Sequence, residues 1–161
     1  MELQMTRQVR FAALPTETVR ALRAGGSDAN GMPAERTVSD GGGNPCRHCL
    51  NEIPKGAGML ILAHRPFPAP QPYAEIGPIF LCADDCRRWE GAGLPPVLAN
   101  RPRHLIKGYG ADDRIAYGTG RIVPVEALIE GAAALFDDTR VRYGHVRSAT
   151  NNCYTCRIEL A

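Results

Sequence analysis

Residues 104–114, His104-Leu105-Ile106-Lys107-Gly108-Tyr109-Gly110-Ala111-Asp112-Asp113-Arg114, decide the fold class. His104 to Tyr109 reads as a strand, and Gly110-Ala111-Asp112-Asp113 is a hairpin signal that turns the chain into a second strand candidate, Arg114 to Val123. Pro124 then suits the first position of a helix, with Val125, Leu128, Ile129, Ala132 and Phe136 on one face and Glu126 and Glu130 away from it. Two further strand candidates, Arg140 to Ser148 and Cys153 to Leu160, flank Ala149-Thr150-Asn151-Asn152. The order strand, strand, helix, strand, strand over 104–161 predicts a largely antiparallel sheet covered by one helix, an α+β fold.

Working outward, Val9, Phe11 and Ala13 alternate in a short strand candidate over Arg7 to Leu14, and Pro15-Thr16-Glu17 opens a helix that ends before Gly25-Gly26. Residues 25–44 shift to Gly, Ser, Asp and Pro and read as a flexible surface loop. Gly58 to Ala63 and Ile76 to Leu81 are apolar, buried-type strands. Between them Arg65 to Pro72 carries alternate prolines, which fix φ and remove donors, so a polyproline-like loop is expected. Its Pro66–Pro72 stretch is a candidate partner contact. Ala83 to Trp89 reads as a short helix with Asp84 and Asp85 in its first turn.

The cysteines carry the strongest chemical signal. Cys46-Arg47-His48-Cys49 sets two thiols on a tight turn, and Cys82 and Cys86 fall four apart, on one face if a helix starts there. A turn with two ligands, a hairpin and a second pair of ligands across 45–90 is a treble-clef or zinc-ribbon-like arrangement. Four thiolates select zinc over magnesium or calcium, with iron as the alternative. His48 and His64 are possible substitutes for a cysteine ligand, and Cys46/Cys49 can alternatively be a redox pair. Cys153 and Cys156, three apart on a strand, point to opposite faces. Cys156, alternating with Tyr154, Ile158 and Leu160, belongs to the core.

Register decides what Cys153 can do. With Ser148 opposite Cys153, His145 faces Cys156 and Arg147 faces Tyr154; with Ser148 opposite Asn152, Arg147 faces Cys153 and His145 faces Thr155. The second register gathers His145, Arg147 and Cys153 into a patch that can activate the thiol, a candidate catalytic face for a thiol-dependent enzyme. Tyr73, Glu75, Lys107 and Tyr109 are cleft candidates, with Glu75 a candidate general acid or base.

At 161 residues, with 44% hydrophobic and 22% charged residues, the chain is expected to form a single globular domain, 1–161, and its 17 Gly and 13 Pro point to long loops. A net charge of +2 from interspersed residues gives no nucleic-acid footprint. No stretch is long and apolar enough to span a bilayer, and Met1 to Arg7 has no signal-peptide run, so the cytoplasm is the expected location; there thiols stay reduced. No Walker A, G-x-G-x-x-G, H-E-x-x-H or G-x-S-x-G motif occurs.

Taken together, Pro45-Cys46-Arg47-His48-Cys49-Leu50, Pro72 to Phe80 with Cys86, Gly108-Tyr109, and His145-Val146-Arg147-Ser148-Ala149 with Cys153 resemble the bacterial domain-of-unknown-function family numbered 1203. The resemblance covers most of the chain and implies a small single-domain protein with no assigned activity. It also implies that histidine can stand in for Cys82, an exchange compatible with a metal ligand.

Overall fold

A computed structural model describes residues 7–161; the expectation resting on Met1 to Thr6 lies outside them. The polypeptide forms two antiparallel sheets. The larger has five strands, β1 (Val9–Ala12), β5 (Arg103–Tyr109), β6 (Arg121–Pro124), β7 (Tyr143–Ser148) and β8 (Tyr154–Leu160), in the order β1-β8-β7-β5-β6. The smaller pairs β2 (Glu35–Val38), β3 (Gly58–His64) and β4 (Gly77–Cys82) in that order. The helices are α1 (Thr16–Arg23), α2 (Pro96–Ala99) and α3 (Leu128–Ala134).

The α+β class, the antiparallel sheet and its covering helix follow the expectation. One face of the large sheet, Ile106, Val123, Val146, Cys156 and Ile158, is sealed by Leu128, Ala132, Leu135 and Phe136 from α3 and its flanking 3-10 turns. Pro124, with its fixed φ, precedes the first of these turns, and the helix opens as the tighter 3-10 form and widens to α only at Leu128. Ile129, expected on the buried face, is instead 47% exposed. Its place against the sheet is taken by Gly131, whose missing side chain lets the helix approach Ile106 and Val123.

Four other local expectations change. The segment 25–44 contains β2, and its first part is held because the Asp28 carboxylate accepts the amides of Asn30, Met32 and Ala63. Ala83 to Trp89 is not helical: Trp89 donates its amide to the His48 carbonyl, and Arg88 reaches the carbonyls of Ala13 and Leu14 at 2.7 and 3.0 Å. Tertiary partners outcompete a helix too short to nucleate. The strand expected over 114–123 is regular only at β6. Ile115 bridges Tyr109, after which the chain loops out, and the Thr119 hydroxyl takes over the ladder by accepting the Gly108 amide.

The fourth change is in the C-terminal hairpin, where neither expected register holds throughout. Ser148 donates to Cys153 O and Arg147 faces Tyr154, but a β-bulge between Val146 and Arg147 shifts the rest, so His145 faces Arg157. The extra residue turns Tyr154 away from Cys156 and Ile158, onto the opposite face. That face, with Lys107, Tyr109, Tyr143, His145 and Arg147, lies against the 65–76 loop, whose Phe67 packs on Tyr109 and Tyr143.

The second core joins Val19 and Leu22 of α1 to Met59, Leu60, Leu62, Ile79 and Leu81 of the small sheet, with Cys46, Cys49 and Tyr154. Leu50 and Tyr154 interlock the halves: Leu50, from the cysteine turn, is buried in the main core, and Tyr154, from the large sheet, in the second.

Candidate metal centre

The turn that carries Cys46 and Cys49 is closed by Cys46 N donating to Asn51 O and Leu50 N to Cys46 O. Leu50 pays for the sharp reversal with a left-handed φ of 53°, a conformation that costs a non-glycine residue on the order of 1 kcal/mol. Every residue of the turn is used. Arg47, 4% exposed, donates Nε to Tyr154 O and Nη1 to Pro45 O, which pins the turn to β8. Cys82 ends β4, and Cys86 follows on the non-helical segment; they meet the first pair because Arg47 N donates to Phe80 O, laying the turn beside β4.

The four sulfurs of Cys46, Cys49, Cys82 and Cys86 all lie within 4.8 Å of one another, with Cys46–Cys86 and Cys49–Cys82 both at 3.9 Å. A tetrahedral site with metal–sulfur bonds near 2.3 Å has sulfur–sulfur edges of about 3.8 Å, whereas a disulfide needs about 2 Å. The cluster therefore fits one metal ion and can hold one.

Hydrogen bonds aimed at the sulfurs support the same chemistry. His48 Nδ1 and Arg23 Nη2 both lie 3.1 Å from Cys86 Sγ, and the Cys82 amide donates to Cys46 Sγ at 3.3 Å. Arg23 also donates Nε to Cys82 O. His48 is thus a partner of the cluster and not one of its four corners. A charged sulfur assigns the ring proton to Nδ1, and Nε2 meets the Thr16 hydroxyl at 2.9 Å. His64 lies elsewhere, its ring tilted against Tyr154 with centroids 5.5 Å apart.

Four sulfurs this close cannot all ionise unaided. The thiols of Cys46, Cys49 and Cys82, joined by His48, hold the Cys86 thiol far below its ordinary value. Cys46 is drawn down to about 6 by Cys49 and Cys82. Cys82 and Cys49 are pushed far up, Cys82 by Cys46, Cys49 and Cys86, and Cys49 chiefly by Cys46. The coupling favours charge on Cys86 and Cys46 over Cys49 and Cys82, and binding of a cation releases the protons that the thiols still hold.

The second candidate set is arranged differently from the sequence expectation. His145 is 1% exposed inside a box of Tyr109, Tyr154, Phe67 and Tyr143 rings, and its Nδ1 accepts from Arg147 Nη2 at 3.1 Å. Burial, then the charges of Arg147 and Lys107, hold the ring neutral well below its usual range. Cys153 Sγ makes no hydrogen bond to His145 or Arg147; its one polar neighbour is Asn151 O at 3.9 Å. Cys153 does line a cleft with Arg147, His64 and Glu75. Glu75 Oε1 binds Arg147 Nη2 at 2.8 Å and lies 3.7 Å from Lys107 Nζ. Tyr109 is wholly buried. Neither Arg23 nor the Glu75–Arg147 pair was marked in the sequence, since each links elements far apart in the chain.

No helix among the described residues is long and apolar enough to cross a membrane. Comparison with curated proteins and with solved structures found no match for this chain. The sequence model of a family described as "Protein of unknown function (DUF1203)" matches residues 43–159, a span that takes in all four clustered cysteines and the Arg147 face. The chain belongs to the DUF1203 family.

Proposed function

We propose that this protein is a small zinc-binding protein of the bacterial cytoplasm, in which Cys46, Cys49, Cys82 and Cys86 hold one ion in a closed, structural site. The observation that carries the reading is the tetrahedral spacing of four sulfurs that receive hydrogen bonds from Arg23, His48 and the Cys82 amide. No fifth position is open to a substrate when four thiolates ligate, so the ion's role is to tie the cysteine turn, β4 and α1 to the large sheet within a single domain. Zinc suits an all-thiolate tetrahedron that needs no redox chemistry, and a reducing compartment keeps the thiols available.

Elemental analysis of protein purified without added metal tests this. About one zinc per chain is expected, together with four thiols that react with a disulfide reagent only after chelation. Metal-free protein of unchanged stability, with Cys46, Cys49, Cys82 and Cys86 all titrating freely, would overturn it.

A further inference from the structure

A cleft of about 240 Å³ opens where the two sheets meet, bounded by His64, Pro66, Ile76, Pro78, Arg147 and Tyr154, with Cys153 at its side. Its floor is charged. Arg147, whose side chain is only 3% exposed, projects into it from β7; Lys107, on the neighbouring strand with 13% exposure, stands behind the lining and reaches Glu75. Among the described residues the carboxylate paired with them is Glu75, which is 43% exposed and comes from the 65–76 loop and not from either sheet.

The way Glu75 meets Arg147 is incomplete. A guanidinium offers Nε–H and Nη2–H as a parallel fork that a carboxylate fills with both oxygens. Here Glu75 touches only Nη2, through Oε1, and the other Nη2 proton goes to His145 Nδ1. Nη1 donates to Asn152 O, and Nε is buried without a partner. His64 Nε2, on another residue that lines the cleft, is also buried and unpartnered. Unpaired buried polar atoms each cost on the order of 1–3 kcal/mol, more when charged, so an arrangement that leaves Arg147 Nε and His64 Nε2 unpartnered on residues that line one cleft is one that a ligand completes.

We propose that this cleft is a binding site for a small organic carboxylate, whose carboxyl group takes the Arg147 Nε/Nη2 fork in place of Glu75 while its short apolar body lies against Pro66, Ile76 and Pro78. Glu75 is the resident stand-in: it balances Arg147 and Lys107 while the cleft is empty and swings out on its exposed loop when the ligand enters. The space suits a molecule well below the usual size of a drug-like ligand. The site is separate from the cysteine cluster and does not depend on the metal reading.

Acetate and propionate, titrated into full-length, metal-replete protein while the Arg147 Nε–H resonance is followed by NMR, test the assignment. Saturable movement of that resonance is expected, with propionate tighter than acetate. Glu75→Ala removes the competitor and tightens both about tenfold, the equivalent of one charge-assisted hydrogen bond. Arg147→Lys keeps the charge but loses the fork, and the saturable response of the remaining cleft resonances disappears. Should that variant not fold, Glu75→Ala alone decides. Three results would overturn the proposal: no saturable change up to about 100 mM, the range where a single weak charged contact is measurable; an equal response to chloride or inorganic phosphate at matched ionic strength; or Glu75→Ala binding carboxylates no better than the native chain.

Discussion

Replacing His48 with alanine removes two hydrogen bonds, of which only the one to Cys86 Sγ touches the cysteine cluster. The ring is 1% exposed, its Nδ1 lies 3.1 Å from Cys86 Sγ, and its Nε2 is held by Thr16, so the donor is already oriented when the cluster charges. A hydrogen bond to a charged acceptor contributes about 1.5–3 kcal/mol, or roughly 10- to 150-fold in an equilibrium constant. Loss of a group that orients a metal ligand costs a similar 10- to 100-fold in affinity. Arg23 Nη2 and three sulfurs still face Cys86, so His48→Ala should weaken zinc binding by about 10- to 30-fold, the lower part of that range. Competition against a chromophoric chelator at neutral pH measures this directly, with circular dichroism to confirm that the variant is folded. His48→Asn is the control, because its side-chain amide nitrogen stands near the lost Nδ1 and should restore most of the affinity. Folded His48→Ala within twofold of the native chain would refute the reasoning, as would equal weakness in both variants.

Two further outcomes follow from burial and packing. His64, chiefly through burial, titrates at about 4 in the folded chain against an ordinary 6.5, so between those values the unfolded chain holds more protons and stability falls as pH drops. The shift corresponds to about 3 kcal/mol, and urea unfolding of His64→Gln should lose a stability difference of that order between pH 7 and pH 4 relative to the native chain; parallel curves would contradict it. At the pairing of Gly108 with Gly144, a Cβ on Gly144 would stand 2.8 Å from Leu135 Cδ1 and 3.2 Å from the Lys107 carbonyl, so Gly144→Ala should cost about 1–3 kcal/mol and lower the melting temperature by several degrees; an unchanged melting curve would show that the sheet yields there.

What could be read from the sequence was local. The strand candidates at β5, β7 and β8 stand where expected, and Gly110-Ala111-Asp112-Asp113 does reverse the chain, because such signals act within a few residues. The four clustered cysteines were also visible, although the reason given for the second pair was not the one that operates. Cys82 and Cys86 meet without a helix, since Asp84 and Asp85 gain nothing from helical backbone that Arg23, Arg88 and His48 do not outweigh from outside. The bulge between Val146 and Arg147 was invisible for a different reason. One additional residue leaves composition untouched yet moves Tyr154 to the other face and sends His145 to Arg157, away from Cys153. Leu50 hid a strained turn behind an ordinary core residue, where glycine would have announced it.

The segment between Cys86 and the main core carries the chain's single tryptophan, and its amide is bound to the carbonyl of His48. Trp89 therefore stands between two ends of the cysteine cluster, partly buried against the main core, with its indole nitrogen shielded and unpaired. Nature has placed an optical probe where the ion would be gained or lost. Should the cluster bind an ion, as proposed, its gain or loss is expected to alter the surroundings of the indole, and a change in Trp89 emission on chelation would then report occupancy in the unlabelled protein without a dye competing for the metal.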